Sequence, residues 1–182
     1  MIDRITAIES GIVDTLLSIQ HPSGVIPGYN TFTSTGSVFI NDEAYALDLV
    51  KAEKGIMYSD AINYINHDVD MYNGEDGTEY DIGQNSYSNT IIYKIISHIT
   101  VTGDEINPRR AAQIRGNQLI SDLKYAFGKN FTLNKTCNLI RYNSFNRIYT
   151  TNNELTQPMD IESYWVVEYT QSVDNPLSKE CP

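Results

Sequence analysis

The chain has 182 residues, a formal net charge of −10 and a pI of about 4.6. Its length suits one domain, and 41% hydrophobic with 20% charged residues excludes collagen-like and disordered classes. The acidic balance argues against a protein that mainly grips nucleic-acid phosphates, because that task needs clustered Lys and Arg. We expect a single domain over 1–182, with 177–182 as a flexible tail.

The acidity is concentrated in the first half of the chain. Residues 1–81 contain 14 Asp and Glu against 3 Lys and Arg, whereas residues 82–182 contain 9 against 10. One interpretation is a solvated surface that keeps the protein soluble. The other is an acidic face that repels DNA or docks on a basic partner.

The two cysteines, Cys137 and Cys181, form no CxxC or Cys/His metal spacing. We expect both to be reduced and non-catalytic, and we expect no cofactor. The N-terminus has no basic start followed by an apolar core, which argues against a signal peptide. No apolar run reaches the length of about 18–20 residues that a membrane span needs.

An amphipathic helix is predicted over residues 2–19. Pro22 follows shortly after and prevents the helix from continuing. Residues 21–43 are rich in Gly, Ser and Thr and indicate a β-hairpin or an extended arm. A short strand is our interpretation of 44–52, although a helix is possible there. Residues 53–86 combine Gly with acids and predict a long loop. The apolar stripe of the first helix is Ile5, Ile8, Ile12, Leu16 and Ile19.

The second half of the sequence has a clearer hydrophobic periodicity. A long strand is predicted over 87–102 from its β-branched and aromatic residues, and a helix follows from Pro108 to Phe127 with Gly128 as its stop. Strands are predicted over 136–150 and 161–172, with a turn between them. The expected apolar stripe of the helix is Ala112, Leu119, Leu123, Tyr125 and either Ala126 or Phe127, with Ile114 flanking it. In the last strand Trp165, Val167 and Tyr169 share one face, and Tyr164, Val166 and Glu168 the other.

This order of elements predicts an α+β fold. We expect an antiparallel-rich mixed sheet of about four strands, with two main helices packed on one face. Residues 21–43 and 53–86 would be long insertions, loops or a hairpin arm.

Motifs for nucleotide binding and hydrolysis are absent from the sequence: it contains no GxxxxGK[ST], GxGxxG, HExxH or GxSxG. An acidic cluster offers oxygen ligands for Ca²⁺, but it lacks the EF-hand pattern, and a solvated acidic segment is the simpler interpretation. His67 beside two aspartates could do acid–base or metal chemistry, although no spacing joins it to His21 or His98. The acidic cluster is Asp68, Asp70, Glu75, Asp76, Glu79 and Asp81.

Arg109, Arg110 and Arg115 begin the second helix, where cations are unfavourable unless they have partners. They are either exposed to solvent or an ion-pairing patch for an acidic surface such as the first half of a neighbouring copy. Tyrosine is abundant, with 13 residues. Exposed tyrosines suit protein interfaces or sugar stacking, but they can equally pack the domain's own loops. Those of the first half are Tyr29, Tyr45, Tyr58, Tyr64, Tyr72, Tyr80 and Tyr87.

The second half resembles the tail-terminator proteins of long-tailed phages. The resemblance rests on a helix ending in LISDLKYAFGKN, then FTLNKTCNLIRYNSF, then a last strand SYWVVEYTQSVDNP. The first helix and the segments AYALDLVKAEKG and NTIIYKIISHITV fall in the same order as in that family. The resemblance covers about residues 2–20 and 44–176 and involves no catalytic motif.

The resemblance implies a non-enzymatic virion protein at the head-proximal end of the tail, made in the host cytoplasm. It implies a hexameric ring that stops tail-tube polymerisation, contacts the tail tube protein and the head-side connector, and lets DNA pass without specific binding. We expect the three arginines and the acidic cluster to form the subunit or partner interface.

Three other classes stay open. A neck or baseplate adaptor would also assemble, with another ring size or partner. A ligand-binding module using the Tyr-rich loops would be monomeric. A metal-dependent enzyme centred on His67 would bind a divalent cation tightly.

Overall fold

Helix α1 (Arg4–Leu17) begins at Asp3, whose carboxylate caps its first turn. Asp3 Oδ1 accepts the Thr6 N–H at 2.9 Å and Oδ2 accepts the Thr6 hydroxyl at 2.8 Å. The computed structural model describes residues 3–19, 38–40, 66–81, 86–102, 108–149 and 156–172. The predicted stripe on α1 is confirmed, because Ile5 packs against the core and four residues are fully buried: Ile8, Ile12, Leu16 and Ile19.

The described strands form one sheet in the order β1-β2-β3-β5-β4. Four of them pair antiparallel, and the short β1 pairs parallel with β2. With two helices this is the α+β fold and mixed sheet that the sequence predicts. The strands are β1 (Val38–Ile40), β2 (Asn66–Asp81), β3 (Ser86–Thr102), β4 (Leu139–Tyr149) and β5 (Thr156–Ser172).

Strand β2 corrects the prediction of a loop over 53–86. Residues Asn66–Asp81 pair with β3 along their length, but the register shifts at three places between Met71 and Glu79. Each shift interrupts the two-residue alternation from which a strand is predicted. Residues 53–65 and 82–85 lie outside the described part of the chain, as do 21–37 and 44–52, so the predicted arm and the strand over 44–52 stay predictions.

Strand β5 begins at Thr156, so the predicted turn before residue 161 is wrong for 156–160. The sequence indicates a turn there because proline lacks the backbone N–H that donates a hydrogen bond to a neighbouring strand, so Pro158 argues against a strand. Among the described residues, Pro158 pairs with Thr100 of β3.

Helix α2 (Pro108–Lys129) passes through Gly128, so glycine is not its stop. The chain turns after Lys129, with Leu133, Asn134 and Lys135 in the left-handed region at φ 47°, 59° and 69°. The buried side of α2 is mostly as predicted: Ala112, Leu119, Leu123, Ala126 and Phe127. Ile114 and Tyr125 are instead exposed, at 45% and 46% of their surface.

One hydrophobic cluster joins both helices to the sheet. Phe127 of α2 packs on Trp165, with ring centroids 4.4 Å apart, and Gly116 of α2 lies close to Ile161 of β5. An added Cβ there would lie 2.8 Å from Ile161 Cδ1. Trp165, Val167 and Tyr169 are buried in this cluster, as predicted. That both helices cover a single face of the sheet stays a prediction.

The sheet face opposite Trp165 carries ion pairs and an aromatic contact. Lys94 Nζ lies 3.7 Å from Asp70 Oδ2, and Arg141 Nε lies 3.2 Å from Glu168 Oε1. A tyrosine pair, Tyr72 and Tyr164, meets edge to face at 5.1 Å on the same side. This face therefore combines ion pairs with two buried apolar side chains, Ile96 and Val166.

Candidate functional site

The predicted arginines lie on the first turns of α2, close to the end of the edge strand β4. Arg109 and Arg110 are exposed and Arg115 is half-buried. The Arg109 guanidinium lies over the Tyr149 ring, 4.7 Å from its centroid. A cation at a helix N-terminus opposes the helix dipole, and the ring face compensates part of that cost for Arg109.

These arginines belong to a larger basic unit, which we define as α2, the following turn and β4 (residues 108–149). The basic unit contains 8 Lys and Arg and a single acid, Asp122. The remainder of the chain contains 5 Lys and Arg against 22 Asp and Glu. A strongly basic structural unit therefore lies within an otherwise very acidic protein.

Within the basic unit, cations lie on the aromatic rings of β4. Lys124 Nζ is 3.9 Å from the Tyr142 ring centroid, and the Arg147 guanidinium is 4.9 Å from that of Phe145. An exposed contact of this kind contributes about 0.5–1 kcal/mol. Together with Arg109 on Tyr149, they form a row of stacked cations where α2 meets β4.

Arg147 also ties the two elements together. Its guanidinium donates to the Asn117 side-chain oxygen on α2. Its Nε atom is buried and has no hydrogen-bond partner among the described residues. A buried donor without a partner is costly, which makes Arg147 the cation of this row with the most to gain from an acceptor.

The predicted acidic residues lie on β2, not in a loop. Strand β2 contains all six of them and no Lys or Arg. Asp70 pairs with Lys94 at 3.7 Å, and the side chains of the other five lie outside those that the structure describes. The acids are Asp68, Asp70, Glu75, Asp76, Glu79 and Asp81.

The acidic strand β2 and the basic strand β4 are not neighbours in the sheet. Strands β3 and β5 lie between β2 and β4, which separates them by about 14 Å at the usual strand spacing. Counting charges by halves of the sequence missed this, because the second half also includes acids on β5. Counting them by element, with 8 bases against one acid over 108–149, would have found the basic unit.

Burial changes the acidity of two described groups, Cys137 and Tyr93. Burial raises the pKa of the Cys137 thiol to about 12, although the nearby Arg4 acts in the opposite direction. Burial, with a smaller contribution from Glu9, also raises the pKa of Tyr93. Both side chains are therefore neutral near pH 7, and Cys137 is protonated there, whereas a nucleophilic cysteine is a thiolate.

A cleft of about 510 Å³ lies between the C-terminal ends of α1 and α2. Its polar groups bond to one another: the Asn130 side-chain amide donates to the Thr15 hydroxyl at 2.8 Å, and that hydroxyl donates to the Gly11 carbonyl at 2.7 Å. The Asn134 N–H extends this series of hydrogen bonds by donating to Asn130 Oδ1 at 2.9 Å. These contacts hold the two helix ends together.

Over the described part of the chain, no group of three or more His, Cys, Asp and Glu is placed to hold a metal ion. His67 and Asp68 lie on β2, and their side chains are outside those described. No described helix is long and apolar enough to cross a membrane.

Comparison with known proteins gives no family assignment. No protein-family model matches the chain, and no curated protein is significantly similar to it.

Proposed function

We propose that this protein is a structural subunit of a long-tailed phage virion, a tail terminator that assembles head to tail into a ring. In this role the ring closes the tail tube, contacts the head-side connector and leaves a passage for DNA. It works through surfaces and uses no cofactor.

The segregation of charge carries this proposal. A basic unit with 8 cations and one acid lies in a chain whose remainder has 22 acids. Such a chain offers each copy a surface of opposite sign to one on the next copy. Because the two surfaces differ, contact between copies is heterologous, and a heterologous contact that closes makes a ring.

We infer the role of that ring from the resemblance to tail-terminator proteins. The order of α1, β3, α2, β4 and β5 agrees with the element order from which the terminator family is suggested. An acidic protein also suits a DNA passage, because it does not hold phosphates tightly.

The first test is the mass of the purified protein in solution across concentration, with negative-stain images of any assembly. Rings support the proposal, and their capping of purified tail tubes would establish the terminator role. A strict monomer that also fails to bind tail-tube ends would overturn it. Rings that bind another virion component and leave tube ends open would indicate a neck or baseplate adaptor.

A matched pair of charge reversals sharpens this test. Arg109→Glu and Lys179→Glu change the net charge equally, but only Arg109 belongs to the basic unit. We expect Arg109→Glu to weaken self-association about tenfold, which corresponds to about 1.4 kcal/mol, and Lys179→Glu to leave it nearly unchanged. Equal weakening by both would show that net charge alone controls association.

A further inference from the structure

The cleft between the C-terminal ends of α1 and α2 has a floor that buried hydrogen bonds hold in place. Thr15 is 1% exposed, and its hydroxyl accepts from the Asn130 amide and donates to the Gly11 carbonyl. The Ser18 hydroxyl donates to the Thr15 carbonyl at 2.6 Å. The floor is therefore formed before any ligand arrives, which lowers the entropy cost of binding.

The turn beside the cleft has an uncommon backbone. Leu133, Asn134 and Lys135 are three consecutive residues that have a Cβ and a positive φ, and such conformations are found most often at functional sites. Leu133 is buried, whereas Asn134 is exposed and lines the cleft. The turn thus presents the side-chain amide of Asn134 at the cleft.

The polar groups at the rim of the cleft are not used by the fold. The Asp14 carboxylate, the Tyr125 hydroxyl and the Asn134 side-chain amide form no hydrogen bond or ion pair with another described residue. The Tyr125 side chain is also 46% exposed, although the sequence pattern predicts it on the apolar stripe of α2. An open aromatic ring thus lies among polar groups that both donate and accept.

The charges at the cleft argue against an ion as its ligand. Asp14 and Lys129 bring one charge of each sign. An anion would meet Asp14 and the C-terminal ends of two helices, which carry partial negative charge. A cation would meet Lys129, whose Nζ atom already lies 5.5 Å from the Tyr125 ring centroid.

A neutral ligand with an apolar face and many hydroxyl groups fits these observations. We propose that the cleft binds a saccharide, with one sugar ring packed on Tyr125 and its hydroxyl groups bonded to Asp14 and Asn134. A hydroxyl both donates and accepts, and so does an asparagine amide, while a carboxylate accepts. The cleft of about 510 Å³ has the size of a small-molecule site, about 300–1,000 Å³.

This site goes beyond the proposed function and does not depend on it. Arg109 lies at the opposite end of α2 from Lys129, about 30 Å away along the helix axis. Sugar binding and the proposed ring contact can therefore be changed separately.

Titration of the full chain with neutral sugars, followed by saturation-transfer NMR, tests the proposal. The probes are glucose, galactose, mannose and N-acetylglucosamine, each with its short oligomers. We expect at least one of them to bind, and Tyr125→Ala to weaken that binding at least tenfold. Phe131→Ala is the matched control, because Phe131 is 51% exposed and does not line the cleft, and it should bind like the parent chain.

A second pair of variants separates binding from stability. Asn134→Gly and Lys135→Gly both place glycine at a positive φ, where it is unstrained. We expect Asn134→Gly to weaken sugar binding several-fold without lowering the denaturation midpoint. Lys135→Gly should retain the affinity of the parent chain, because Lys135 does not line the cleft.

Three results would overturn the proposal. The first is that none of the probes binds, and if rings still form, this result leaves the proposed function intact. The second is that affinity is unchanged in both Tyr125→Ala and Asn134→Gly, which would place the sugar elsewhere. The third is that only charged sugars such as glucuronate or glucosamine bind and that salt abolishes the binding, which would assign the cleft to an ion.

Discussion

Gly11 is the residue at which α1 comes closest to the turn that follows α2. An added Cβ at Gly11 would lie 2.8 Å from Leu133 Cβ and 2.9 Å from the Leu133 carbonyl oxygen. Leu133 itself is fully buried with φ at 47°, a backbone conformation that costs about 1–2 kcal/mol for a residue with a Cβ. The turn therefore cannot retreat easily from α1, and only glycine fits at residue 11.

A comparison of two glycines in helices tests this contact. Gly11→Ala should lower the free energy of unfolding by about 1–3 kcal/mol, because an inserted carbon in a packed contact moves its neighbours. Gly128→Ala, where an added Cβ meets nothing within 4 Å, should raise it by up to about 1 kcal/mol through helix propensity. Urea denaturation of both variants measures the two effects, and an equal gain in both would disprove the close contact at Gly11.

At the scale of the element, the start of α1 depends on the Asp3 carboxylate. Hydrogen bonds from the Thr6 backbone and hydroxyl lower the pKa of Asp3 below its usual value of 3.8. A carboxylate with a lowered pKa stabilises the folded state above its unfolded pKa, and that stability is lost as the pH falls through the folded value. The contribution is thus fully present at neutral pH.

Two substitutions separate the effect of the N-cap hydrogen bond from the effect of the negative charge: Asp3→Asn and Asp3→Ala. We expect Asp3→Ala to lower stability at pH 7 and Asp3→Asn, which is also a good N-cap, to lower it less. Both variants should show a smaller loss of stability than the parent chain between pH 5 and pH 3. Thermal denaturation followed by circular dichroism over this range measures both effects, and a parent-like acid loss in Asp3→Asn would exclude the cap as its source.

Elements with a regular period could be predicted from the sequence, and so could β4 with its single register shift, but β2 could not. The stripe of α1 and the alternation of Trp165, Val167 and Tyr169 each follow one period, and each gave the correct element. Strand β2 loses its period at three register shifts, and its Gly and Asp residues favour loops in any local reading. Its pairing with β3 determines its structure, and such pairing is not visible in the segment alone.

At the scale of the whole molecule, the arrangement of charge depends on strand order. The sequence indicates an acidic first half and arginines at the start of the second helix. It does not reveal that the acidic β2 and the basic β4 lie on opposite sides of β3 and β5, because strand order is set by long-range pairing. This order places the acidic strand β2 and the basic strand β4 apart within one sheet.

The sign of the salt effect on self-association follows from that separation. A protein with a net charge of −10 and evenly spread charges repels its copies, so salt would strengthen association by screening the repulsion. In the proposed ring, contact between the basic unit of one copy and acidic residues of the next is an attraction instead, so salt should weaken association. Sedimentation velocity at about 0.05 M and about 0.5 M NaCl measures this, since the screening length falls from above to below about 10 Å over that range.

We expect the fraction of assembled protein to fall at high salt and to recover on dilution of the salt at constant protein concentration. The Arg109→Glu variant should show a smaller salt effect, because part of the attraction is already removed, whereas Lys179→Glu should behave like the parent chain. Association that increases with salt would mean that apolar contacts hold the copies together and that net repulsion opposes them. That result would contradict an interface in which opposite charges hold the copies together.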